Sequence, residues 1–527
     1  MVAVFGAVAM PLVPRLLIAL AWVCAIPGIA SRLEFQPAEL PSEVKRLNAV
    51  ALTADGQEFI MTGLAADGSC AVGVLNEHFA LVALRFFPLS FQNTCRFAGS
   101  DSGGNIFIAG RSESQEFPVT YQLQPDTPGR NFVIKLSRSL EVIFTTRFEC
   151  GVVLATAVAK DGSIWVGGYA RFGVPTTVDA LQSTYFDGFY VANARDRSGF
   201  VVRISSDGQR VLYATYLGSL RDAVGAISVD RDGSVYASGS RIWKFSSSGR
   251  LIWSTWVPPA AAFASAIGPT GDLYLVGTTE GLGMYTTPSS FQSNPLPGQV
   301  EFGAGSMVAY PQIAFDGFAL RITADGQLVY STLMGGSRSD WLSQIRVEDD
   351  GSAYVLGFSN GNLFPTRSAV AMGPGAILAK LSADGSVVAF STYLFQNAAG
   401  FLRLPDGANL MLYYCRLPDQ LTCAYRVTEL PDSLPRIDAV VNSAQPKDNP
   451  TTGTNAAISG EGFSLVTAVT VGNVPARIVS QSDCLLEIEI PPTLPGVTPQ
   501  TSFLFDVRLL RDGEVLRQIS IRVFPPR

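Results

Sequence analysis

The chain holds a single histidine, His78, among 527 residues, and only 16% of its residues are charged. One imidazole, set between Glu77 and Phe79 with no G-x-S-x-G elsewhere, gives no basis for a Ser–His–Asp arrangement. The seven cysteines follow no zinc-ligand spacing, so no metal is expected. No Gly-rich phosphate loop follows a strand and opens a helix, which removes nucleotide cofactors. No run of Lys or Arg and no basic aromatic stripe accompanies the formal charge of −6, which argues against nucleic acid as a partner. Helical periodicity is almost missing beyond the N-terminus, and no later apolar run is long enough to span a bilayer.

What the chain does have is 47% hydrophobic residues, 50 Gly and 32 Pro, in short apolar runs bounded by Gly, Asp, Ser and Pro. That composition suits a compact all-β protein rich in turns. Residues 1–30 read as a signal peptide: Arg15, then LLIALAWVCAIPGIA, with Gly28 and Ala30 as the small residues before a cleavage point at Ser31. The mature chain is expected to be secreted, periplasmic or held at the cell surface, free of the membrane after cleavage, and monomeric. Export permits disulfides. Cys415 and Cys423 flank a hairpin-like loop and form the first candidate pair; Cys95 and Cys150, each ahead of a repeat's first strand, form a second.

One phrase recurs: β-formers, Asp-Gly or a variant, β-formers, Gly. It reads ALTADGQEFIMTG, GSDSGGNIFIAG, AVAKDGSIWVGG, ISVDRDGSVYASG, IGPTGDLYLVG, VEDDGSAYVLG and LRLPDGANLMLYY. A second signature follows in EFPVT (Phe117), GVPTT (Val174), MYTTP (Tyr285) and LFPTR (Phe364). A closing hairpin then appears, as in RISSDGQRVLYATYLGS. Four antiparallel strands per repeat predict a β-propeller blade, and seven copies predict seven blades over residues 46–430. The combined pattern resembles the bacterial seven-bladed β-propeller repeat family (SBBP). The seventh repeat is short of a last strand, and the N-terminal segment 31–45, through residues 32–40, is expected to supply it. After SLPRIDAVVN the pattern changes, and residues 435–527 read as about seven short strands of an immunoglobulin-like β-sandwich. PRIDAVVNSA, TGTNAAISGEGFS and VTAVTVGNVPARIV resemble the IPT/TIG family, whose members serve mostly as spacer or interaction modules.

Strand parity puts both turns of every blade on one face, and the connections between second and third strands on the other. The latter vary in length, being longest near 170–199 and 278–316 and nearly nil in the fourth repeat. Long connections in a compact array tend to be functional. Tyr185, Phe186, Tyr190, Phe291, Phe302 and Tyr310 therefore mark the candidate binding face. Asp230, Asp232, Glu348, Asp349 and Asp350 cluster in turns, but turn closure explains them better than calcium, since no full Ca²⁺ loop is present. DGSIWVGG around Trp165 resembles the sialidase Asp-box, itself a structural turn. Asp187 and Asp316, in two FDGF segments read as the same repeat position, are the candidate carboxylates for glycosidase chemistry, although nonadjacent blades would set them far apart. The expected function is non-enzymatic binding of extracellular polysaccharide or protein. A lyase or glycosidase on the same face and a structural surface or matrix component are the alternatives.

Overall fold

In a computed structural model of the protein, the described residues are 31–525 apart from 39–45, 54–57, 66, 77–80, 89–93, 115, 125–128, 186–196, 220–221, 258–259, 280–283, 296–300, 303–310, 313–314, 337, 362, 370, 395–397, 405–408, 414–422, 432–434, 444–448, 483 and 498–501. The chain forms two compact units. One comprises Leu33–Pro365 and Pro374–Leu430; the other comprises Pro431–Arg527, Thr366–Gly373 and the chain up to Arg32.

The first unit is a succession of antiparallel sheets, each built in sequence order from an inner strand outward. Blade 1 has strands Arg46–Leu52, Phe59–Leu64, Cys70–Leu75 and Leu81–Phe87; blade 2 has Thr94–Ser100, Ile106–Arg111, Asn131–Leu136 and Val142–Phe148. Blade 3 runs through Val152–Val158, Ile164–Ala170, Ser198–Ile204 and Val211–Leu217, and blade 4 through Ala226–Val229, Val235–Ser238, Arg241–Phe245 and Leu251–Trp256. Blade 5 uses Ala260–Ile267, Leu273–Thr279, Asp316–Ile322 and Leu328–Met334, and blade 6 uses Asp340–Val347, Ala353–Ser359, Gly375–Leu381 and Val388–Tyr393. Blade 7 contributes Ala398–Arg403, Asn409–Tyr413 and Cys423–Pro431, and its outermost place is taken by Ser31–Ala38. The inner strand of each blade touches that of the next, and the inner strand of blade 7 returns to that of blade 1. The seven sheets are a closed propeller. Both faces of each sheet meet neighbouring blades, so the second strands are buried along nearly their whole length rather than at alternate residues, as in Ile106–Arg111 and Leu273–Thr279.

The blades are locked by a cation that the turn motif does not reveal. In the third strand a Lys or Arg stands directly opposite an aromatic residue of the second: Lys135 opposite Phe107, Arg203 opposite Trp165, Lys244 opposite Tyr236, Arg321 opposite Tyr274 and Lys380 opposite Tyr354. Each cation lies over that ring, 4.9–5.7 Å from its centroid. In four blades its head pairs with an acid of the blade's own first turn: Lys135–Asp101 at 3.0 Å, Arg203–Asp161 at 2.5 Å, Lys244–Asp230 at 3.7 Å and Arg321–Asp272 at 2.6 Å. It also donates to the second turn of the following blade. Lys244 Nζ reaches the Ala324 carbonyl at 2.8 Å and Arg321 the Ala383 carbonyl at 2.9 Å, and Arg203 makes the equivalent bond to Ser247.

The glycine of that following turn is fixed by the same junction. Gly385 has φ +72°, and a Cβ there would lie 2.4 Å from the Tyr330 ring of the preceding blade. Gly249 stands likewise against Tyr213. Both the backbone conformation and the close approach demand glycine.

The expected Cys95–Cys150 bridge does not form. Cys95 is bonded to Cys70, which opens the third strand of blade 1, with 5.8 Å between their Cα atoms. Cys150 is a buried free thiol in the core shared by blades 2 and 3, and burial, with the Glu149 charge nearby, pushes its pKa well up. Cys415 lies outside the described residues, as does the side chain of Cys423.

The second unit has seven strands in the order Arg436–Asn442, Asn455–Glu461, Leu485–Glu489, Val474–Gln481, Ala468–Val471, Phe503–Arg511 and Glu514–Val523. Val474–Gln481 pairs on both sides and joins two halves around Ile458, Phe463, Leu486, Val507 and Ile521, all fully buried. Arg436, itself buried, holds Asp438 through two bonds of 2.9 and 3.1 Å and Glu461 through one of 2.8 Å. Thr366–Gly373 is built into this unit: Ser368 N–H donates to Asp438 Oδ1 (3.2 Å), Ala369 N–H to the Ile437 carbonyl (3.0 Å) and Met372 N–H to the Ser520 carbonyl (3.0 Å).

Two predictions follow from the lock and the closure. Arg321→Gln leaves Asp272 buried without its charge partner, so the urea midpoint should fall by the equivalent of about 2–4 kcal/mol. A chain beginning at Arg46 lacks the outer strand of blade 7, and its calorimetric transition should move down and broaden relative to a chain beginning at Ser31.

Candidate functional site

The turn face is spent on structure. Asp161 Oδ1 accepts the N–H and hydroxyl of Ser163 at 2.9 and 2.6 Å. Burial raises its pKa, but those bonds and the charge of Arg203 outweigh this and hold it below the usual carboxylate value. Asp230 Oδ1 accepts the N–H groups of Asp232 and Ser234 at 3.0 and 2.8 Å, while its other oxygen faces Lys244. Asp350 closes its turn on Ser352, and Glu348 takes Arg346 and, from blade 7, Arg403. These acids are turn and junction residues. Among the described residues, no three His, Cys, Asp or Glu side chains gather as a metal site would require.

On the opposite face, the connections of blades 2, 3 and 5 begin alike. A threonine grips the fourth residue of the blade's outer strand at two points. Thr120 N–H donates to the Thr145 carbonyl (2.8 Å), and its hydroxyl accepts the Thr145 N–H (3.0 Å). Thr177 does the same to Ala214 (3.1 and 3.2 Å), and Thr287 to Ser331 (3.0 and 3.3 Å). In blades 3 and 5 the chain then turns, with Ala180 N–H to the Thr177 carbonyl and Ser290 N–H to the Thr287 carbonyl. It comes back as Gln182 and Gln292, whose carbonyls accept Tyr216 N–H (2.9 Å) and Leu333 N–H (3.0 Å). These hooks cover otherwise open sheet edges. In blade 6 the corresponding residue is Arg367, and the segment belongs to the second unit.

Some of the candidate binding residues fall within these hooks. Tyr185 is partly buried against the core of blades 2 and 3. Phe291 is partly buried, and its N–H donates to the Gly385 carbonyl at 2.9 Å. Phe302 stands in a two-residue strand, Glu301–Phe302, paired with Pro311–Gln312; its side chain, together with Phe186, Asp187, Tyr190 and Tyr310, lies outside the described residues, as does His78.

Asp187 and Asp316 do not share a repeat position. Arg203 and Arg321 are equivalent, and counting back along each strand sets Ser198, paired with Ala170, where blade 5 has Asp316, paired with Thr279. Ser198-Gly199-Phe200 is the true counterpart of Asp316-Gly317-Phe318, and the earlier FDGF is part of the connection. Asp316 itself is buried against Gly335, where an added Cβ would come within 2.1 Å of its Oδ1. Its surroundings are tightly tied: Thr278 Oγ1 donates to the Asp340 carbonyl at 3.0 Å, Asp340 N–H to the Phe315 carbonyl at 2.6 Å, and Gly336 N–H to Asp340 Oδ2 at 2.6 Å. Burial alone pushes the Asp316 carboxyl up to about 7. Such a group holds a proton near neutrality and can act as an acid or a protonated donor.

Residues 439–508 match the IPT/TIG domain family model. This segment runs from within the first strand of the seven-stranded unit, Arg436–Asn442, to within its sixth, Phe503–Arg511. Two solved structures with propeller-scale coverage are the WD40 domain of Neurospora crassa Pan2 and a protein of unknown function from Bacteroides caccae. The first is 9% identical with TM-score 0.40, covering 74% of this chain and 90% of that one. The second is 12% identical with TM-score 0.32, covering 64% and 93%. No curated protein matches the chain.

Sequence reading missed the third-strand cation and the gripping threonine. Both were visible as recurring letters, in RISSDG, KFSSSG, RITADG and KLSADG for the first and in PVT, PTT and YTT for the second. The Asp316 carboxyl gives a pH prediction. Its folded pKa is raised, so the folded state binds a proton that the unfolded chain releases near 3.8, and stability falls as pH rises from about 4 to about 7. Asp316→Asn should match the parent in melting temperature near pH 4 and exceed it at pH 8.

Proposed function

We propose that this chain is an exported, non-enzymatic binding or interaction protein. In this reading its propeller is of the SBBP type and engages an extracellular polysaccharide or protein through the face that carries the connections between second and third strands. One observation carries the reading: the repeats differ from one another chiefly in these connections. Blade 4 passes from Ser238 to Arg241 through Gly239 and Ser240 alone, whereas blades 3 and 5 pass from Ala170 to Ser198 and from Thr279 to Asp316. A scaffold whose turn face is consumed by its own junctions leaves variation on the other face available for recognition. The IPT/TIG domain is consistent with an interaction role. Residues 1–30 support export through their signal-peptide pattern.

The competing enzymatic reading draws on the buried, near-neutral carboxyl of Asp316. Glycan-array retention and reducing-end release separate the two. Removing residues 296–310, which spares the hook at Thr287–Gln292, should abolish retention on the array while leaving the melting temperature within a few degrees. Retention unchanged by that deletion would defeat the loop-face assignment, and reducing sugar lost in Asp316→Asn would favour the enzyme.

A further inference from the structure

Among the described residues, the propeller covers some of its outer edges and leaves others bare. Register makes the comparison direct. The outer-strand residue opposite the third-strand cation is Tyr213 in blade 3, Tyr330 in blade 5 and Trp253 in blade 4. Ala214, Ser331 and Ser254 follow it, and Tyr216, Leu333 and Trp256 stand two places further on. In blades 3 and 5 that last residue lies in the core shared with the preceding blade: Tyr216 is 4% exposed and Leu333 1%. Blade 4 has no connection long enough to make a hook. There Trp256 is 63% exposed, and the strand alternates between half-buried and exposed residues. The Trp256 indole lies open here, beside the backbone positions at Ser254 and Trp256 that correspond to the gripped ones.

We propose that the edge of blade 4, Leu251–Trp256, binds a hooked peptide segment of a partner polypeptide with the pattern Thr-x-x-Ala/Ser-Leu/Phe-Gln. The occupant is specified by the chain itself. Thr177-Val178-Asp179-Ala180-Leu181-Gln182 and Thr287-Pro288-Ser289-Ser290-Phe291-Gln292 are two different sequences that hold the same edge through the same bonds. In the bound form the peptide threonine grips Ser254 at N–H and carbonyl, and its glutamine carbonyl accepts the Trp256 N–H beside the exposed indole. Recognition is through main-chain bonds with one apolar anchor, as in other peptide-to-edge associations. The proposal concerns the outer rim and stands whether or not the loop face binds polysaccharide.

The test uses the full chain and a synthetic peptide of Pro175–Thr184. Hooking a free peptide costs ordering entropy, so a dissociation constant on the order of 100 μM is expected from tryptophan fluorescence. A peptide carrying a photo-crosslinker should label Leu251–Trp256. Peptide N-methylated at the position of Thr177 should bind at least tenfold more weakly, a control that leaves the protein untouched, and Trp256→Ala should weaken the parent peptide to a similar degree. Equal binding of the two peptides, labelling elsewhere, or no saturation at millimolar peptide would overturn the proposal. So would concentration-dependent dimerisation abolished by Trp256→Asp, which would assign the edge to a second copy of the chain.

Discussion

The propeller depends on a cation held in three directions at once. In blades 2–6 a third-strand Lys or Arg lays its apolar stem and charged head over an aromatic ring of the neighbouring strand, and in blades 2–5 it also neutralises an acid in its own blade's turn. From blades 3, 4 and 5 the same head reaches a carbonyl in the next blade. The cation is thereby both a strut within a sheet and a tie between sheets. Asp161 apart, its acid partners in blades 2–5 are largely buried, so exchanging one for a neutral group leaves the others short of a charge they were built around. Blade 6 keeps the cation and changes its acid. Glu348 is taken by Arg346 and Arg403, and Lys380 turns instead to Glu429 in the third strand of blade 7, at 2.9 Å. Tyr354 donates its hydroxyl to that same carboxylate. The tie survives because what matters electrostatically is an acid beside the cation, not which strand supplies it.

Turn chemistry was legible from letters alone because it is local. Asp followed by Gly places a side-chain acceptor and a positive-φ residue within one hairpin, and nothing distant is needed to recognise it. The number and type of blades followed from repeating that unit. The cation escaped because its partners lie across a strand, at an earlier turn whose distance along the chain differs from blade to blade, and in the next blade, none of which sets a spacing along the chain. The two FDGF segments show the opposite hazard. Four matching letters suggested equivalence, but the ladder from Trp165↔Arg203 to Ala170↔Ser198 decides where the third strand of blade 3 begins, and Asp187 is not on it. Cys95 was likewise judged by its place ahead of a repeat, when proximity to Cys70 in the adjoining blade was decisive.

The connections on the variable face have more order than their lengths suggest. A common opening, closed by threonine on the outer strand, recurs in blades 2, 3 and 5 before the sequences diverge. Unequal length disguised this shared start, since the eye compares whole loops and the hydrogen bonds compare first residues. Blade 6 keeps the Phe364-Pro365 opening and replaces the gripping threonine with Arg367. Without that grip the following residues are free to serve the IPT/TIG-containing unit, where they meet Ile437, Asp438 and Ser520.

An array that assigns its acids so consistently makes departures informative. Asp101, Asp161, Asp230 and Asp272 each face a cation, and burial costs them little because the charge is answered. Asp316 occupies a strand position where blade 3 has Ser198 and blade 6 has Gly375, and its shift arises from burial alone. A serine or glycine there satisfies the fold, so the carboxyl is not required by the blade. Keeping it carries a free-energy cost at neutral pH that the repeat does not offset. In a protein otherwise consistent from turn to core, Asp316 is an acid whose burial no neighbouring cation answers by an ion pair among the described residues.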